Sequence, residues 1–252
     1  MEIKEISFNS AKEFLEYLSV HNDRKTRLFR GQMEDWSIDS KLLRLVREKK
    51  QIDDFFKIEK RIFNQFKEKY KTIYGIELND WELLSIGQHY GLPTRLLDWT
   101  ANPLIALWFA LEKEKDNDKD RVVFGLVVED DSKVDFQSDT LFGGRFIKIF
   151  EAKHSDNRVI NQESWFSIQP PQIFGKGDDG LPHFNNYNTL NEDENFEYFL
   201  IKFKFKNSAR WEILEEIDKE GINNMKVYPD LTGLCKMIEM NEIEKANHNM
   251  RS

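Results

Sequence analysis

The chain of 252 residues has one cysteine, Cys235, so no disulfide can form within it. With no Cys or second His at ligand spacing from His89, a structural zinc site is not expected either. This cysteine usage suits a reducing compartment. Long apolar runs are also missing: no window reaches the length of a membrane span. The opening stretch, MEIKEISFNSAKEFLEYL, carries charges every few residues and lacks the apolar core of a secretory signal. A cytoplasmic location is therefore expected, with no membrane partner. Positive charge is in deficit, the formal net charge being -8. That argues against nucleic acid as a general partner, because a protein held by phosphates concentrates Lys and Arg. A local basic pocket remains compatible with it. No Walker loop, dinucleotide fingerprint, serine on a glycine elbow or internal repeat is present.

What the chain does have is aromatic mass, with 20 Phe, 6 Trp and 7 Tyr, enough to build a sizeable core at this length. The organising stretch is Leu84–Leu111, LSIGQHYGLPTRLLDWTANPLIALWFAL. Its first part is polar and interrupted by Gly87, Gly91 and Pro93, which break both helix and strand. Its last part, from Leu104, is apolar at nearly every position. Pro103 after a group of polar residues marks a helix start, and a helix without a polar face must be covered on all sides. The polar cluster is thus anchored at the N-terminal end of a central buried helix, where free N–H groups suit an anion.

In chain order, the pattern predicts an edge strand over residues 2–8, a helix from Ala11 capped by Ser10, and a strand Thr26–Gly31 with Leu28 and Arg30 on one face. A short helix follows around Leu42 and Leu43. Next comes an amphipathic helix Asp53–Tyr70 with Phe55, Ile62, Phe63 and Phe66 inward, then a helix Trp81–His89. Residues 121–129 read as a buried strand and 165–168 as another. Residues 172–195 read as a long surface loop or lid, Glu197–Phe205 as an edge strand, and the last helices as Ala209–Lys219, capped by Ser208, and Asp230–Asn241. The tail 242–252 reads as frayed. Helices and strands without a regular βαβ beat give an α+β fold, with a mixed or antiparallel sheet and helices packed around the central one. One domain is expected over 1–252.

Phe29-Arg30-Gly31, the run Gln88-His89-Tyr90-Gly91-Leu92-Pro93-Thr94-Arg95-Leu96-Leu97-Asp98-Trp99-Thr100, and Asn102-Pro103-Leu104 resemble the FRG domain family. Asn157-Arg158 through Gln162 to Phe166 and Val227-Tyr228-Pro229-Asp230-Leu231-Thr232-Gly233-Leu234 fit it too, so the resemblance spans about 25–238. Arginine on an early strand, a hydroxyl before a helix and Gln162-Glu163 before a later strand are also similar in layout to the arginine-serine-glutamate ADP-ribosyltransferases. That resemblance implies NAD as cofactor, Arg30 as phosphate anchor, Thr100 as ordering hydroxyl and Glu163, or Gln162 in its place, as the catalytic residue. It implies a carboxylate beside the positive charge that develops at the anomeric carbon. Candidate ligand contacts are Arg30, Gly31, Gln88, His89, Tyr90, Thr94, Arg95, Asp98, Asn102 and Arg158.

Each residue also has a structural reading. Arg30 could simply pair a surface carboxylate, Asp98 could cap the Pro103 helix and pair Arg95, and His89 could be a hydrogen-bonded core residue. Three functions follow. One is a nucleotide-dependent transferase or glycohydrolase acting as a toxin or phage-defence effector, for which the resemblance implies a nucleotide-like small molecule and allows a protein acceptor. The others are a non-catalytic module that senses a nucleotide or peptide, and an acidic interaction or inhibitor protein.

Overall fold

The computed structural model describes residues 3–21, 25–49, 55–114, 118–143, 146–152, 157–169, 190 and 198–246. Strands β1 (Lys4–Phe8), β2 (Thr26–Gln32), β3 (Leu97–Thr100), β4 (Arg121–Val128), β5 (Lys148–Glu151), β6 (Ser164–Ile168) and β7 (Tyr198–Phe205) form one sheet in the order β1-β7-β4-β2-β3-β6-β5. Only β1 and β7 run parallel; the other neighbours are antiparallel. The fold is α+β with a mixed sheet.

The helices form where apolar residues recur at helical spacing behind a capping side chain. Ser10 accepts from Glu13 N at the start of α1 (Ala11–Val20). Asn79 does the same for Glu82 N ahead of α4 (Asp80–His89). Between them lie α2 (Lys41–Lys49) and α3 (Phe55–Tyr74). The central helix α5 (Pro103–Leu111) is buried almost throughout, with Ile105, Ala106, Leu107, Ala110 and Leu111 wholly enclosed. Phe29 and Val123 of the sheet pack under it with Phe14 of α1 and with Ile213 and Ile217 of α7 (Arg210–Lys219). The other side of β2, β3 and β4 presents Leu28, Leu97, Trp99, Phe124 and Leu126 to Ile38, Ile149 and Leu190. Beyond β3, Trp81 and Leu84 of α4 and Phe63 of α3 cover Phe150 and Phe166.

Several expectations change. β2 does not stop at Gly31 but runs on to Gln32. Gly31 sits where a Cβ would stand 1.9 Å from the Ala106 carbonyl oxygen, so its role is to let α5 lie against the strand. β7 is an interior strand between β1 and β4. Its Lys202 and Lys204, which alternate like a solvent-facing row, are held by Glu5, and Lys202 also by Asp35. Ser208 does not cap α7: it lies in a 3-10 turn, Asn207–Ala209, and α7 starts with no side-chain cap. Asn207 instead accepts from the buried Arg121.

Two short helices complete the set, α6 (Asn157–Asn161) and α8 (Asn224–Val227). The last helix, α9 (Leu231–Glu239), is capped by Asp230 and continues as a π-helical turn Met240–Glu244, so the predicted frayed tail is helical at its start; 247–252 lie outside the described residues. The predicted lid over 172–195 also lies outside them, apart from Leu190. No helix among the described residues is long and apolar enough to cross a membrane.

Candidate functional site

β2 and β3 pair at one position, Phe29 opposite Thr100. Beyond it β2 stays on β4 as far as Gln32, while β3 turns to β6. A cleft of about 750 Å³ opens at this parting of the strands. Its floor is Phe29–Gln32 and Asp98–Thr100. Gln88 and His89 form one wall; Phe109, Glu112, Val159, Gln162 and Phe166 close the far end.

Arg30 spans the parting. Its Nη1 donates to the Asp98 carbonyl oxygen at 2.8 Å and stands 4.0 Å from Asp98 Oδ2, and its buried Nε has no partner. Burial pulls this guanidinium below its ordinary pKa; the Asp98 carboxylate opposes that and the charge of Arg44 adds to it. Asp98, 64% exposed at its side chain, receives Gln88 Nε2 at 3.3 and 3.2 Å on its two oxygens. Gln88 is in turn oriented from inside: the Thr94 hydroxyl donates to its Oε1 and accepts from Leu96 N. With the carbonyl end of the amide so engaged, only its NH2 end can face the carboxylate.

Of the expected site residues, Arg30, Gly31, Gln88, His89, Asp98, Thr100 and Gln162 line one cleft. Gln162 is held there by its Nε2 on the Val227 carbonyl, 3.0 Å away. Thr100 is buried, and its hydroxyl accepts from Asn102 N. Gly31 reaches the cleft through backbone only.

The others stand elsewhere. Thr94 acts from behind Gln88. Tyr90 is 81% exposed, its ring edge-on to His89 and outside the lining. Arg95 is an interior strut: it bonds Glu59 at 2.9 Å and the carbonyls of Gln169 and Leu141, at 4% exposure. Asn102, not Asp98, caps α5, its Oδ1 accepting from Leu104 N and Ile105 N. The helix end expected to hold an anion is therefore already filled by a side chain, and Pro103 offers no N–H. Arg158 is spent on Asp230 and Thr232 and lies over the Tyr228 ring, so these two motifs meet one another. Glu163, at φ 48, is exposed, and its carboxylate accepts from Asn102 Nδ2 at 3.0 Å rather than entering the cleft.

Sequence reasoning missed Trp36, Ser37, Arg44 and Glu112 as cleft residues. The only signal for Arg44 was its place next to Leu42 and Leu43 on a short amphipathic helix, which reads equally well as a solvated face. Glu112 follows the last apolar residue of α5 and is tied to Lys236 at 3.1 Å.

No curated protein and no solved structure matches the chain. Residues 25–119, which carry β2, β3, α5 and with them the cleft floor and the Gln88 wall, match the family model of the FRG domain.

Proposed function

We propose that the cleft binds a nucleotide by its phosphates and that the protein is a transferase or glycohydrolase of the ADP-ribosyltransferase kind, with NAD as donor, acting in the cytoplasm as a toxin or phage-defence effector. The observation that carries this reading is Arg30, a guanidinium on the cleft floor with an unpartnered Nε, set beside Thr100 and Gln162 although these lie far apart in the chain. A charged, planar donor in a partly dry cleft is a phosphate ligand by preference. The resemblance in layout supplies the rest.

In such a reaction the bond from ribose C1′ to the nicotinamide nitrogen breaks, and nicotinamide leaves with the electron pair. Water or an acceptor adds to C1′ and gives up its proton to a carboxylate or to solvent. The carboxylate in position to steady the developing positive charge is Asp98, which faces the cleft, rather than Glu163. Gln88 holds both Asp98 oxygens and keeps them turned as acceptors.

The test is NAD added to the purified protein, read by thermal shift, intrinsic Trp fluorescence and nicotinamide release. NAD raises the melting temperature and nicotinamide appears; Arg30→Ala abolishes both, while Asp98→Asn keeps binding and loses release. No shift with NAD or any other nucleotide, and no nicotinamide, refutes the reading.

The position of Glu163 favours a second reading, a sensor that binds without turnover. The expected glutamate accepts from Asn102 and is not among the residues that line the cleft. This version predicts binding of NAD or ADP-ribose with no nicotinamide released, and binding unchanged in Glu163→Gln.

A further inference from the structure

A second cavity, of about 130 Å³, lies between α5, α7, α8 and the helical stretch formed by α9 and the π-helical turn after it, and it shares no lining residue with the cleft. Two of its side chains are deeply buried polar groups, Trp108 at 2% exposure and Asn224 at 6%. The Trp108 indole N–H meets no acceptor among the described residues. The Asn224 amide donates from Nδ2 to the Met240 sulfur at 3.3 Å, a weak acceptor, and its Oδ1 receives nothing from the described residues. Because a thioether can only accept, the NH2 end is the one that belongs at Met240, and the carbonyl end is the one left open.

Buried polar groups are ordinarily paired, so a donor and an acceptor left open in one cavity point to an occupant. The walls around them, Trp211, Leu214, Ile222 and Met237, are apolar. Water can meet the N–H and the carbonyl, but beside such walls it lacks further partners. A molecule that keeps both hydrogen bonds and fills the space displaces it at a gain. The charged residues of the lining are exposed and already engaged at the rim: Glu215 stands 3.9 Å from Lys245, and Asp218 accepts from Asn223 Nδ2 at 2.9 Å. Nothing inside compensates an ion, and burying an unpaired one is costly, so the occupant is neutral. Its size is that of a single ring, since a cavity of ~150 Å³ holds benzene. Met240 also opens the π-helical turn Met240–Glu244, and such turns are rare and concentrate at functional sites.

We propose that this cavity is a second binding site, for a small neutral one-ring molecule carrying an amide or lactam, whose carbonyl accepts from the Trp108 indole N–H and whose N–H donates to Asn224 Oδ1. The proposal does not depend on the nucleotide reading of the cleft.

The experiment is a titration of the nitrogen-15-labelled full chain followed by NMR. Its 6 tryptophans give separate indole N–H resonances, and Trp108→Phe identifies that of Trp108. The probes are 2-piperidone, cyclohexanone, which has the ring and carbonyl without the N–H, and piperidinium, which has the ring with a charge. In the wild type, 2-piperidone shifts the Trp108 resonance saturably, with a dissociation constant of about 1 mM or below. It binds about fivefold more tightly than cyclohexanone, the worth of one hydrogen bond, and piperidinium leaves the resonance in place. In Asn224→Leu, which gives up only a side-chain bond to sulfur, the ratio falls to about one while cyclohexanone still shifts the Trp108 resonance and so reports an intact cavity. No saturable shift with 2-piperidone, or a ratio near one in the wild type, overturns the proposal without recourse to any variant. A preference that survives in Asn224→Leu overturns it as well. Binding of NAD at the cleft, or its failure, bears on none of these outcomes.

Discussion

Replacing Gly31 with alanine tests the packing on which the cleft depends. A Cβ at this position meets the Ala106 carbonyl oxygen at 1.9 Å, Ala110 N at 2.7 Å and Ala106 C at 2.9 Å, all backbone atoms of α5. No rotamer change relieves such a contact. The helix must retreat by about 1 Å before the worst distance reaches the 3.0 Å below which Cβ atoms essentially never approach another atom. But α5 is packed on every side, against β2 and β4 below and α1 and α7 around it, and dense interiors do not absorb such a movement without voids elsewhere. Overpacking of this kind costs about 1–3 kcal/mol, and we place Gly31→Ala at or above the top of that range because the clash is with backbone. For a chain of this size that corresponds to a fall in melting temperature of roughly 6–12 °C. Urea unfolding of the wild type and Gly31→Ala measures it directly. A loss under about 0.5 kcal/mol, typical of an inert surface site, refutes the close approach of α5 to β2 and with it this account of why glycine follows Phe29-Arg30.

Arg95→Met breaks the buried Arg95–Glu59 ion pair, at a cost of about 3–5 kcal/mol; adding Glu59→Leu recovers much of it in thermal unfolding, and no recovery argues against the pair as described. Asn102→Ala removes the cap of α5 and costs about 1 kcal/mol by urea titration, whereas Asn102→Ser costs less. The hydrogen bonds from Lys202 first and Lys204 second hold the Glu5 carboxyl down from 4.5 to about 2. A carboxyl depressed in this way adds stability that is whole above its unfolded value and is lost as the pH falls through the folded one. Wild-type stability therefore drops between about pH 4.5 and 2 by more than that of Glu5→Gln. Because Glu5 is nearly half exposed, screening trims the difference at pH 7 to about 1 kcal/mol, and parallel pH curves contradict the assignment.

The sheet class, the central helix and the Gln88–Thr100 side of the cleft were legible because each leaves a local mark. An apolar run behind proline can only be a covered helix, and polar residues packed between glycines have no core to serve. Which arginine reaches the cleft was not legible. Arg30 and Arg95 both sit beside turn-forming residues, but Arg95 finds Glu59, a carboxylate on the predicted amphipathic helix that periodicity assigns to solvent and the fold buries at 2% exposure. The same limit hid Arg44, on the short amphipathic α2, and Trp36, in the loop ahead of it, since neither setting gives a sign of which cavity lies across from the side chain. Arg158 and Asp230 were read as separate motif residues, and only the meeting of α6 with the start of α9 makes them each other's partner. Glu163 was expected in the cleft from its place after Gln162; its left-handed backbone turns the two neighbours apart, sending Gln162 to the cleft and Glu163 to Asn102.

The stretch that matches the FRG domain cannot by itself be the working unit. It ends at 119, just before β4. Within it β2 has a single paired position, Phe29 with Thr100, whereas β4 pairs with all seven residues from Thr26 to Gln32. Without β4, the strand that carries Arg30 has no continuous partner, and β7 and α7, which close the core around α5, are missing as well. The far end of the cleft also comes from later residues, since Val159, Gln162 and Phe166 lie beyond the match and Gln162 is tied down by Val227. The placing of Arg30 in a cleft therefore depends on strands and helices drawn from nearly the whole length of the chain. A fragment limited to 25–119 should expose the apolar side of α5 and fail to bind NAD, whichever reading of the chemistry holds.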